Sequence, residues 1–66
     1  MSNTIKTFEI TIAYQDQEQE YTVAYMCKHS RVEGVIQDAA YRVQQLEADG
    51  YEITEVNLDF AYETGA

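Results

Sequence analysis

"SRVEGVIQDAAYRVQQLEADG", residues 30–50, decides the fold of this chain. Its apolar residues recur at Val32, Ile36, Ala39, Val43 and Leu46, with Val35 alongside. Spacings of three and four place them on one face of a helix. Ser30 followed three residues later by Glu33 is a capping box. In that motif the serine hydroxyl accepts the backbone N–H of residue 33 and the glutamate accepts that of residue 30. Gly50 supplies the left-handed stop. The stretch therefore predicts a helix over about 31–48, and the segments on either side have to supply the surface it covers.

Both flanks read as strands. "TFEITIAY" (7–14) alternates, with Phe8, Ile10, Ile12 and Tyr14 on one side and Thr7, Glu9, Thr11 and Ala13 on the other. Period two with β-branched and aromatic residues is the pattern of a half-buried strand. "QDQEQ" (15–19) is a polar hairpin loop with no Asn-Gly or Asp-Gly to specify its turn type. "EYTVAYM" (20–26) alternates again, Tyr21, Val23 and Tyr25 against Glu20, Thr22, Ala24 and Met26. After the helix, "YEITEVNLDFAY" (51–62) sets Val56, Leu58, Phe60 and Tyr62 against Glu55, Asn57, Asp59 and Ala61. Ile53 is out of phase with the apolar set, which predicts a bend or bulge at the start of this strand. The last four residues are expected to fray.

The order β-β-α-β with a right-handed crossover gives an α+β fold. A three-stranded antiparallel sheet in the order 2-1-3 carries the helix on one face. The expected core is Phe8, Ile10, Ile12, Tyr21, Val23, Tyr25, Val32, Ile36, Ala39, Val43, Leu46, Val56, Leu58 and Phe60. At 66 residues the chain is one domain. A domain of this size buries only about 60% of the surface its unfolded chain exposes, so it is marginally stable alone. One cysteine excludes an internal disulfide and fits a reducing compartment. The start, "MSNTIKTFEI", has no signal-peptide pattern, and no apolar run reaches the ~18 residues of a membrane helix. The reading is an intracellular, cytoplasmic protein with no membrane partner.

Charge is the strongest global signal. Twelve acidic residues oppose four basic ones, for a net charge of -8. Such a field repels nucleic acid and anionic lipid and attracts basic surfaces; it also keeps a small domain dispersed. The open sheet face would carry Glu9, Glu20, Glu55 and Asp59 among Thr11, Thr22 and Asn57. Asp16 and Glu18 would stand at the hairpin tip. Lateral spacings of about 5 Å and axial spacings of about 7 Å approximate the repeat of phosphates along a nucleic acid. The aromatic and basic residues that RNA-binding sheets present on this face are missing, which argues against direct nucleic-acid binding. The same carboxylates also serve to guard the edges of an open sheet.

"MCKHSRVEG" (26–34) holds the only cysteine and the only histidine. Cys27 and His29, two apart, would share a strand face. A nucleophilic pair there also needs a third group to orient the ring. The simpler assignment is a small half-buried strand residue followed by a loop histidine. Two nitrogen or sulfur ligands are too few for structural zinc, and neither a calcium loop nor a phosphate loop is present, so no metal or cofactor is expected. Lys28, His29 and Arg31 form a small basic corner at the helix start. On the helix, Gly34, Gln37, Tyr41, Gln44 and Ala48 form an uncharged outer stripe, in which Gly34 and Tyr41 suit a partner surface.

The expectation is a non-catalytic acidic protein-binding module that occupies a basic, nucleic-acid-binding surface of a partner protein through Glu9, Asp16, Glu18, Glu20, Glu55 and Asp59. In size and charge the chain resembles the small DNA-mimicking inhibitors of phages and mobile elements, anti-CRISPR proteins among them. That resemblance implies inhibition of a partner protein inside a phage's host cell. The second reading is a small homodimer that uses the Gly34–Tyr41 stripe or an exposed strand edge. The third is an enzyme that uses Cys27 and His29.

Overall fold

The computed structural model describes residues 4–65. The elements run β1 (Ile5–Gln15), β2 (Glu20–His29), α1 (Val32–Ala48) and β3 (Glu52–Thr64). The sheet order is β2-β1-β3 with both pairs antiparallel, the arrangement expected of a ββαβ chain. All three strands are longer than the alternating stretches that announced them. β3 holds Glu63 and Thr64, where fraying was expected, and Ala66 lies outside the described residues.

β1 and β2 pair without interruption from Lys6↔His29 to Gln15↔Glu20. β3 pairs with β1 in a register that shifts twice, between Thr7 and Phe8 and between Ala13 and Tyr14 of β1. Each shift leaves one extra residue on β3, Ala61 at one place and Thr54 at the other. The second bulge is the feature Ile53 implied: it returns Ile53 to the helix side, opposite Tyr14 and packed on the core. The first was not anticipated. It sets Tyr62 opposite Thr7, across the sheet from Phe60, which stays opposite Phe8 with the two rings 5.5 Å apart, edge to face.

The helix starts later than the capping box requires. Its N-cap is Arg31, in an extended conformation, and no side chain caps it. Strand β2 runs on through His29, so Ser30 falls one position before the cap and the Ser30–Glu33 reciprocal pair does not form. A Cβ built on Gly34 would collide with the His29 imidazole, reaching to 2.6 Å of Cε1. A side chain at 34 would require the exposed His29 imidazole to move aside. Gly34 is therefore half-buried against His29 and does not extend a flat outer stripe. The other end is fully closed. Gly50 takes φ 98°, its N–H donates to the Glu47 carbonyl, and the Tyr51 N–H donates to that of Leu46. This is the two-bond Schellman stop expected at a glycine.

The core is smaller than the expected one. Ile10, Ile12, Cys27, Val35 and Ala39 are buried, and Phe8, Tyr14, Val23, Tyr25, Val43, Leu46 and Ile53 pack against them. Val32, Ile36, Val56, Leu58 and Phe60 are exposed instead, Ile36 by 50% and Phe60 by 55%. The cause is lateral: Val56, Leu58 and Phe60 stand beside Ile12, Ile10 and Phe8, at levels of the sheet that the helix covers, but the helix does not close down on the β3 side. The helix sits over the middle of the sheet on Val35 and Ala39. On its β2 side, Asp38 and Arg42 reach down to Cys27 and Tyr25. On its β3 side it presents Ile36, Ala40 and Val43, and a groove remains between these and Val56 and Leu58.

Candidate functional site

The residues with chemical potential fall into three places: the thiol under the helix, the open face of the sheet, and the end where hairpin and helix both turn.

Cys27 lies on the helix side of β2 and is buried. Its Sγ donates to Asp38 Oδ2 at 3.1 Å. Burial, reinforced by the Asp38 hydrogen bond and charge, pushes the thiol up to about 11. Nucleophilic cysteines need the opposite, a lowered value and access. His29 is exposed and lies against Gly34. Burial also raises Tyr25, whose ring stacks under Arg42 at 4.9 Å and feels the Asp38 charge. Tyr21 is raised as well, by desolvation and then by its hydrogen bond to Asp16.

For all three groups the folded state favours the protonated form. Their contribution is complete below the unfolded values, 9.0 for the thiol and 10.0 for the phenols, and is lost as pH rises through the folded values. Thermal melting should accordingly be level from neutral pH to about 9 and fall above it. A shift from 9.0 to about 11 also lowers the thiolate fraction roughly 100-fold. Alkylation of Cys27 by iodoacetamide should be at least that much slower in the native protein than in urea. A native rate equal to the denatured one would contradict the burial of this thiol.

The open face carries a column of carboxylates. Uninterrupted alternation puts Thr7, Glu9, Thr11, Ala13 and Gln15 of β1 on the side away from the helix, beside Lys28, Met26, Ala24, Thr22 and Glu20 of β2. β3 adds Asp59, Asn57, Glu55 and, past the bulge, Glu52. Glu9 stands directly opposite Asp59, a like-charge pair, and Gln15 stands between Glu20 and Glu52. The Gln15 amide donates to Glu52 Oε1 at 3.2 Å. Glu52 was missed from sequence because the bulge that returns it to this face lies beyond the regular alternation.

The tip gathers further acids. Asp16 closes the hairpin: its Oδ1 accepts the N–H groups of Glu18 and Gln19, both at 2.8 Å, and its Oδ2 accepts the Tyr21 hydroxyl at 3.2 Å. These bonds hold the Asp16 carboxyl below the ordinary value, so it stays ionised. An aspartate at the first position of the turn was the legible signal for this geometry. Glu18 is exposed beside it. The Schellman stop brings Tyr51 against Tyr14 and Tyr21, with ring centroids 5.0 to 5.7 Å apart, and so draws the helix end to the hairpin end. A shallow depression lined by Gln15, Asp16, Gln17, Gly50 and Glu52 joins them. Glu47 and Asp49 flank the helix C-terminus, whose last turn holds no basic residue. The partial negative charge of that terminus has the same sign.

Cations are segregated from all of this. Lys6, Lys28 and Arg31 lie toward the opposite end, where Lys6 pairs with His29. No lysine or arginine occurs between residues 7 and 27 or after Arg42. Tyr41 is 61% exposed on the outer helix face, its hydroxyl accepting the Gln45 amide at 2.8 Å. Among the described residues, no group of three histidine, cysteine or acidic side chains is arranged to hold a metal ion, and no helix is long and apolar enough to cross a membrane. No family model, curated protein or solved structure matches the chain.

Proposed function

We propose that this protein is a non-catalytic acidic module that occupies a basic, nucleic-acid-binding surface of a partner protein, in the manner of a DNA-mimicking inhibitor of the anti-CRISPR type. One observation carries the reading. Glu9, Glu20, Glu52, Glu55 and Asp59 share one open sheet face and run into the acidic tip of Asp16, Glu18, Glu47 and Asp49, while three of the four basic residues lie toward the other end. A solubilising surface requires only a net charge and has no reason to segregate its signs. Segregation produces a directed field, which steers a basic surface onto the acidic face. Strand geometry spaces the carboxylates about 7 Å apart along each strand and about 5 Å across. The function needs no nucleophile, and the protonated thiol of Cys27 supplies none at neutral pH.

The test is capture of partners from a lysate of the source cell at low salt, with the wild type and a Glu9→Lys, Glu55→Lys, Asp59→Lys variant as parallel baits. The expected result is a nucleic-acid-binding protein retained by the wild type, lost with the variant and displaced by added DNA. Equal retention by both baits would overturn the reading.

A further inference from the structure

We propose that the groove between α1 and β3, together with the free edge of β3, is the contact between two copies of this chain. The apolar side chains along it are Ile36, Val43, Val56, Leu58 and Phe60, and all but Val43 are exposed. The accessible surface of the chain is 4847 Å², whereas a folded monomer of 7.6 kDa exposes about 4,300 Å². The radius of gyration is 13.7 Å, against about 11 Å for a compact chain of this length. The excess belongs to the whole elongated chain; doubled over two copies it is about 1,100 Å², the scale of surface that a specific interface has to cover. On the β2 side, Asp38 and Arg42 close the helix onto Cys27 and Tyr25.

Charge selects the register. Side chains stay on their own faces only if an antiparallel β3–β3 pair is centred on a residue, and the regular run lies between the bulges at Thr54 and Ala61. Centring on Leu58 puts Leu58 on itself and Val56 against Phe60 of the second copy on the helix face. On the open face it puts Asp59 against Asn57 and Glu55 against Ala61. Centring on Asn57 puts Glu55 against Asp59, and centring on Asp59 puts that residue on itself and Glu55 against Glu63. The carboxylates that guard this edge thus disfavour the two registers adjacent to the Leu58-centred one, which is the register that sets the apolar run Val56–Leu58–Phe60 against itself. The product is a six-stranded sheet with both helices on one side and a continuous acidic face on the other.

Sedimentation equilibrium on the full chain tests this independently of any acidic-face partner. The expected mass is twice 7.6 kDa. Added salt should tighten the dimer by screening its like net charges, whereas salt weakens capture of a basic partner. Leu58→Lys should raise the dimer dissociation constant about 30-fold or more. Asn57→Lys, on the solvated face where folding is not at stake, should lower it roughly two- to tenfold by facing Asp59 of the second copy. A monomer mass at every concentration would overturn the proposal, as would a dimer indifferent to both substitutions.

Discussion

Ile10→Ala should leave this protein largely unfolded at physiological temperature. Ile10 is on the central strand, fully buried, between Tyr25 of β2 and Leu58 of β3. Truncating a buried isoleucine to alanine costs about 2–5 kcal/mol through lost transfer energy and the residual cavity. A native chain has only about 0.05–0.15 kcal/mol of stability per residue, or ~3–10 kcal/mol for this one. Only four other apolar residues are buried to share the load. Each kcal/mol lost shifts the melting temperature of a domain this small by roughly 4–8 °C, so a fall of ~15 °C or more is expected by circular dichroism. Val32→Ala is the control. Val32 carries the same helical spacing in the sequence but is 40% exposed at the first helical position. Its truncation should cost about 1 kcal/mol or less. Equal effects at the two positions would mean that the helix sits elsewhere on the sheet.

Asp59→Lys should move stability and binding in opposite directions. Glu9 and Asp59 face each other across β1 and β3, and like charges directly opposite on a sheet repel. Lysine at 59 converts the repulsion into an attraction, a gain of roughly 0.5–1.5 kcal/mol on the cross-strand scale. The melting temperature should rise by several degrees. The same change reverses a charge in the middle of the acidic face. If that face docks on a basic surface, binding at low salt should weaken about tenfold or more, mainly through slower association and a flatter salt dependence. A variant that is more stable and binds as well as the wild type would show that the pair serves only as surface charge. A local arrangement that costs stability is expected where function, not folding, keeps it.

Much of this architecture is legible in the sequence, and the exceptions share a cause. Period-two alternation located three strands, Gly50 located the end of the helix, and the phase error of Ile53 located a bulge, because each signal is confined to a few neighbouring residues. Failures arose where one element constrains another. Ser30 and Glu33 have the spacing of a capping box, but the extension of β2 through His29 shifts the helix start past it. Ile36 and Val35 are neighbours with equal claims on the core, and only the seating of the helix over β1 awards the position to Val35. Val56, Leu58 and Phe60 alternate as a buried strand should, yet the helix leaves a groove on the β3 side and does not close over them. The acidic face was read correctly at Glu9, Glu20, Glu55 and Asp59 as far as its placement goes. Its extension to Glu52 depends on the bulge at Thr54, and that to Glu47 and Asp49 on the tyrosine contacts that bring two chain reversals together.

Those three tyrosines give the molecule an optical signature of its own. The chain has no tryptophan, so tyrosine dominates its near-ultraviolet absorption and emission. Tyr14, Tyr21 and Tyr51 come from β1, β2 and the helix–β3 junction. Three rings with centroids within 5.7 Å couple their transition dipoles, and the resulting circular dichroism band depends on their mutual orientation. The coupled part of the band reports the closing of the acidic end, while Tyr25, Tyr41 and Tyr62 contribute to the same region from elsewhere on the molecule. A landing on that tip would change its sign or amplitude without any attached label, and the loss of the band on heating would time the separation of the two reversals from the melting of the sheet.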